Sequence, residues 1–201
     1  MKHYRLLLGL CLSQICTAAT YTVTPDSNVA TIRNALNACS AGDSLILSPG
    51  DYGDQQYIGN FQPEGEVTIQ FPSQTWFESV LQLVDCQNLT IKSLWQRPPV
   101  NASNNPQPGI RITGGDTQNI RITESRIDGQ NAKNAIEITG STELPENWPS
   151  FISIEQVEAF GTQDDIIRVN GANHIVIKDC HLHDPAIPQN TTQHIDAIQV
   201  I

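Results

Sequence analysis

Apolar residues two apart recur along this chain in two interleaved series. The first contains 86–95, 117–127, 150–160 and 173–184, with pairs at Leu89/Ile91, Ile120/Ile122, Ile152/Ile154 and Ile175/Ile177. The second contains 109–115, 135–141, 166–172 and 197–201, with pairs at Ile110/Ile112, Ile136/Ile138, Ile167/Val169 and Ile198/Val200. From Ile110 the second series returns after 26, 31 and 31 residues. Side chains two apart on a strand share a face, so each pair is an inward pair. Two strand series returning at a regular interval predict a solenoid whose coils bury their inner faces by stacking. The interval is too long for hexapeptide repeats and the elements are too strand-rich for helical ones. The fold expected is all-β, a right-handed parallel β-helix. Periodicity alone leaves an antiparallel sandwich open.

The same alternation places Arg111, Glu137, Arg168 and Gln199 in one outward column. In the other series it turns Leu94, Ser125, Val157 and Cys180 inward, followed by Ile127, Ala159 and Leu182. His181 and His183 then face outward. Val29, Ile32, Leu36 and Cys39 fall at helical spacing and predict a short capping helix over 26–39, with Asp26, Ser27 and Asn28 as N-cap candidates. The sequence stops within an apolar strand pattern at Gln199-Val200-Ile201. Natural solenoids avoid such a bare end, so further coils are expected beyond it.

Lys2 and Arg5 precede an apolar run and then Thr17-Ala18-Ala19, the pattern of a signal peptide over residues 1–19. Residues 20–201 then form part of one β-helix domain, secreted or periplasmic and expected to be a monomer. Removing the leader takes the formal charge from −10 to −12, because Lys2 and Arg5 leave with it. No later apolar run is long enough to span a membrane, and no basic patch suggests nucleic acid. Cys39, Cys86 and Cys180 remain. Their odd count leaves at least one free thiol or a partner elsewhere. Cys180 reads as a small core residue, and a Cys39–Cys86 bridge stays open. Asn88, Asn101 and Asn190 begin glycosylation sequons that matter only in a eukaryotic source.

The helix-spaced segment leads into Ala41-Gly42-Asp43-Ser44-Leu45-Ile46-Leu47-Ser48-Pro49-Gly50-Asp51-Tyr52. This succession resembles the opening of secreted β-helix polysaccharide-active proteins of the chondroitinase-B and alginate-lyase group. The resemblance implies a polysaccharide substrate. Thr162-Gln163-Asp164-Asp165 is similar to the Asp-Asp segment of polygalacturonase-type glycosidases. There the preceding coil carries Asn-Thr-Asp and the following one Gly-His-Gly; here they carry Lys133-Asn134-Ala135 and His194-Ile195-Asp196.

Stacking in register puts Asn134, Asp165 and Asp196 in one column, about 4.8 Å apart per coil. Carboxylates so close bind a cation, share a proton or pair with a base such as Arg168. The alternative is that Asp164 and Asp165 cap a turn through backbone hydrogen bonds. Three function classes follow. A lyase cleaving a uronate polymer would use His194, Asp165 and Arg168 as its catalytic set. Calcium on Asp165 and Asp196 would neutralise charge, and Glu137, Gln199, Asp164 and His183 would bind substrate. A glycoside hydrolase would use Asp165 and Asp196 as its paired carboxylates. The third class is a glycan-binding or surface β-helix without catalysis, though Trp76, Trp95 and Trp148 form no stacking row.

Overall fold

The computed structural model describes residues 17–25, 29–52, 56–73, 75–77, 80–97, 107–130, 132–141, 143–186 and 195–201. Every strand pairing among them is parallel, in three sheets. The first sheet stacks Thr20–Val23, Ser44–Leu47, Val67–Gln70, Gln87–Lys92, Gln118–Thr123, Ser150–Glu155 and Asn173–Lys178. The second stacks Gln56–Gly59, Leu81–Val84, Ile110–Thr113, Ile136–Thr139, Ile167–Asn170 and Ile198–Val200. A third, of short strands, stacks Gly50–Asp51, Thr75–Phe77, Trp95–Gln96, Arg126–Asp128, Glu158–Phe160 and His181–His183. Each coil runs from the first sheet through the third to the second, making a right-handed parallel β-helix.

The third sheet arises because each long segment of the first series bends partway. Ser93, Glu124, Gln156 and Asp179 adopt left-handed backbone with φ of 59°, 51°, 53° and 53°. One residue of this kind per coil turns the chain through a corner, and the short strand follows two residues later. Side chains at such φ values are locally unfavourable. Their recurrence at matched positions shows that stacking of the coils outweighs that cost. A second left-handed column, Asn88, Asn119, Phe151 and His174, sits within the first sheet. There Asn119 Nδ2 donates to Asn88 Oδ1 at 2.9 Å.

The predicted register is observed. Ile110 pairs with Ile136, Ile136 with Ile167, and Ile167 with Ile198. Ile110, Ile112, Ile136, Ile138 and Ile167 are completely buried. Leu94, Ser125 and Val157 are buried in a second inner column, and Cys180 packs against the same core from a half-buried position. On the last strand Ile198 and Val200 are exposed, since no further strand among the described residues lies against them.

The helix spans Val29–Asn37, shorter than the 26–39 expected, and its N-cap candidates lie outside the described residues. Its Ile32 and Leu36 are buried in the core cluster with Leu47, Phe61, Ile69 and Phe71. No disulfide links Cys39 to Cys86. The Cys39 thiol donates to Ala35 O at 3.3 Å and the Cys86 thiol to Ile58 O at 3.2 Å. Burial pushes the Cys86 thiol up to about 11, so it stays protonated and chemically quiet.

Asp43, just before the first full coil, accepts backbone N–H bonds from Ala19 at 2.6 Å and Ser40 at 2.7 Å. These bonds, that of Ser40 foremost, hold its carboxyl below the usual range.

Two outcomes are expected. Ile136→Asp or Ile167→Asp should abolish cooperative folding, because an unpaired buried carboxylate costs several kcal/mol against a total stability of about 5–15 kcal/mol; a soluble variant with a sharp melting transition would contradict this. Asp43 is depressed in the folded chain, so its contribution is present above the unfolded carboxyl value and is lost as pH falls through the folded one. The melting temperature of Asp43→Asn should therefore lie below the parent's by a constant gap above pH 5 or so, about a unit over the ordinary Asp value. The gap should close in more acid buffer, and a gap independent of pH would remove Asp43 from this role.

Candidate functional site

The outward face of the second sheet carries the charged column that alternation predicts. Arg111 pairs in register with Glu137, Glu137 with Arg168, and Arg168 with Gln199. Arg111 Nε lies 2.9 Å from Glu137 Oε2, and its Nη2 donates to Gln107 Oε1 at 3.2 Å. Arg168 Nη1 lies 3.4 Å from Asp164 Oδ2. All four charged groups are partly shielded from solvent, a setting in which charge-assisted pairs are stronger than on open surface. Two guanidinium groups and two carboxylates thus sit side by side on consecutive coils.

Asp164 and Asp165 are consecutive, and the chain turns them to opposite sides. Asp164 shares the outward direction of Arg168. Asp165 is completely buried, its Oδ1 accepting the backbone N–H of Asp196 at 2.9 Å. One coil earlier, buried Asn134 donates through Nδ2 to the Asp165 carbonyl at 2.8 Å. Asn134, Asp165 and Asp196 do stack as a column, and its links run from side chain to backbone of the next coil. Asp165 Oδ2 and Asn134 Oδ1 are buried without a hydrogen-bond partner among the described residues.

This inward turn was readable in the sequence. Asn134, Asp165 and Asp196 each stand two before an inward isoleucine, Ile136, Ile167 and Ile198, and share its parity. Asp164 shares the outward parity of Arg168. His194 lies outside the described residues, as do most of the loop 96–108 and residues 187–193.

His183 is outward, as expected, but on the third sheet rather than with the arginine column. Its Nδ1 lies 2.8 Å from Asp184 Oδ2 and its Nε2 3.2 Å from Glu158 Oε1. The bond to Asp184, with a smaller one to Glu158, raises its pKa against the opposing effect of partial desolvation. Glu158 and His181, which the sequence reading did not single out as functional, stand beside it. Their signal was the Glu158↔His181 register, which follows from aligning 150–160 with 173–184.

No protein-family model and no curated protein matches the chain. Among solved structures it is similar to one titled "Crystal structure of pectate lyase Pel9A", at 12% identity and a TM-score of 0.52. That match covers 89% of this chain and 57% of the pectate lyase chain, so this chain spans somewhat over half its neighbour's length. The likeness agrees with the stacked parallel sheets in defining a parallel β-helix protein.

The hydrogen bond from Asp196 to Asp165 ties the last strand to the coil before it. Asp165→Ala removes the acceptor of that part-buried donor and should cost about 1 kcal/mol, lowering the melting temperature by a few degrees for a chain of this size. Asp165→Asn keeps an acceptor oxygen and should lose clearly less. Equal melting of parent and Asp165→Ala by calorimetry would show that the bond is not holding the coil.

Proposed function

We propose that this chain is an exported polysaccharide lyase that acts on a uronate-containing polymer along the outward face of its second sheet. The observation that carries the reading is the column Arg111, Glu137, Arg168 and Gln199, with Asp164 against Arg168. A solenoid presents equivalent side chains at the coil spacing of about 4.8 Å, which suits a linear polymer lying across the coils. The structural likeness to a pectate lyase supports a polysaccharide as partner.

β-Elimination at a uronate removes the C5 proton, breaks the C4–O bond and forms a C4–C5 double bond, the released electron pair leaving with the glycosidic oxygen. The substrate carboxylate must be neutralised for C5 to lose its proton. Arg168 takes this part, forming a bidentate pair with the incoming carboxylate in place of its single 3.4 Å contact to Asp164. An arginine cannot itself be the base, because it remains protonated. His194, four residues before Ile198 at the start of the strand that pairs with Arg168's strand, is the base we assign, in its neutral form. Glu137 and Gln199, flanking Arg168 on the neighbouring coils, bind sugar hydroxyls. Asp165, buried under this face, is a positioning residue that fixes the head of the next strand through Asp196.

Calcium remains part of the proposal. The unpartnered, buried Asp165 Oδ2 and Asn134 Oδ1 and the Asp196 carboxylate are oxygen donors of the kind a hard cation takes. Calcium held there would add positive charge beneath Arg168, offsetting the repulsion that the chain, at −12 without its leader, exerts on a polyanion.

The test is incubation with polygalacturonate and with alginate, reading both the ultraviolet absorbance of unsaturated uronate and the release of reducing ends. Absorbance should rise for one of these polymers. Arg168→Ala should lower kcat/KM by about 10–100-fold, the scale of a lost hydrogen bond to a charged group. His194→Ala should lower kcat by about a hundredfold or more, and a chelator should lower activity while added calcium raises the melting temperature. Reducing ends without absorbance would make the enzyme a hydrolase. Neither signal, with retained polymer binding, would make it a glycan-binding protein.

A further inference from the structure

The outward face of the third sheet holds a cluster that the reading above does not use. Glu158 pairs in register with His181, and Phe160 with His183, so the two histidines stand two residues apart on one face beside the glutamate. One ligating atom from each of Glu158, His181 and His183 lies within 4.8 Å of the other two. The His181 and His183 rings are stacked at 4.2 Å between centroids and 26° between planes.

We infer that Glu158, His181 and His183 form a binding site for a borderline divalent transition cation such as zinc. Two imidazoles and a carboxylate match zinc and its neighbours rather than calcium, which prefers oxygen alone. At zinc bond lengths of about 2.0–2.1 Å, two ligand atoms of a tetrahedron stand about 3.3 Å apart. The 3.2 Å between His183 Nε2 and Glu158 Oε1 is already that edge.

The surroundings orient the same atoms. Asp184 Oδ2 lies 2.8 Å from His183 Nδ1, the outer carboxylate that metal-binding histidines use to fix their tautomer and leave Nε2 free for the ion. Arg126 Nε takes the other Glu158 oxygen, Oε2, at 3.2 Å, leaving Oε1 facing the histidines. Phe160 stacks on His183 at 5.0 Å and restricts its rotation. The cluster offers three protein ligands at the surface, so water or a substrate oxygen would complete the coordination.

The experiment is isothermal titration of the full chain with zinc chloride near pH 7.5, with Co²⁺ absorption as a second readout. One zinc per chain should bind to the parent, and Co²⁺ should show the intense visible bands of a tetrahedral site. Glu158→Gln, His181→Ala and His183→Ala should each weaken zinc by at least tenfold, and Asp184→Asn by about tenfold or more through the outer shell. His174→Ala should match the parent, and all melting temperatures should stay close to it in metal-free buffer. No zinc heat with the parent, or an unchanged isotherm in the Glu158→Gln/His181→Ala/His183→Ala triple variant, would overturn the assignment. So would loss of binding in His174→Ala alone.

Discussion

Stacking of parallel strands in exact register is the constraint on which everything else in this molecule depends. Each coil has only its neighbours to cover its edges, and a slip of one residue would turn every inward isoleucine outward. The Ile110–Ile136–Ile167 row satisfies that constraint completely. Once register is fixed, the polar positions have no freedom of their own. Residues of equivalent position become neighbours at one spacing, whatever their chemistry. The columns of arginine and glutamate, and of glutamate and histidine, are consequences of a register set by apolar residues.

The corners show the same dependence from the side of cost. Ser93, Glu124, Gln156 and Asp179 have little in common chemically, yet each takes the same left-handed backbone. None is glycine, the residue that would adopt it most readily. The chain therefore accepts a local penalty in each of these four coils to bend at the same level. Buried residues on either side of the bend, such as Ile91 and Leu94 around Ser93 and Ile154 and Val157 around Gln156, belong to one core cluster and recover it by packing. Such a bend leaves little mark in a pattern of apolar and polar residues. That is why the sequence shows two strand series and the structure three sheets.

Alternation made most of the fold legible: the inward rows, the outward column Arg111, Glu137, Arg168 and Gln199, and the outward histidines all follow from parity. The aspartate column was legible too, but only if parity is carried upstream of the strand. Asp165 shares the parity of Ile167, and the structure buries it. A carboxylate ordinarily argues for the surface, and chemical type outweighed position in the reading of that residue. The pair Glu158–His183 needed more than parity, because it joins residues diagonal to one another across two coils. Side-chain reach decides such contacts, and the pattern along the chain does not encode it.

Asp164 and Asp165 show how a solenoid divides work between adjacent residues of the same type. Facing outward, Asp164 meets a guanidinium that another carboxylate could also occupy, one charge-assisted partner taking the place of the other. Facing inward, Asp165 has no water to fall back on, and its bond to the Asp196 amide carries the cost of its burial. The outward residue is suited to chemistry because it is replaceable. The inward one is suited to alignment because it is not. Binding on the outer face would be felt by the coil beneath through Arg168 and the strand it shares with Ile167. The rigidity that holds the apolar row in register would also hold the charged column at the spacing a polymer meets.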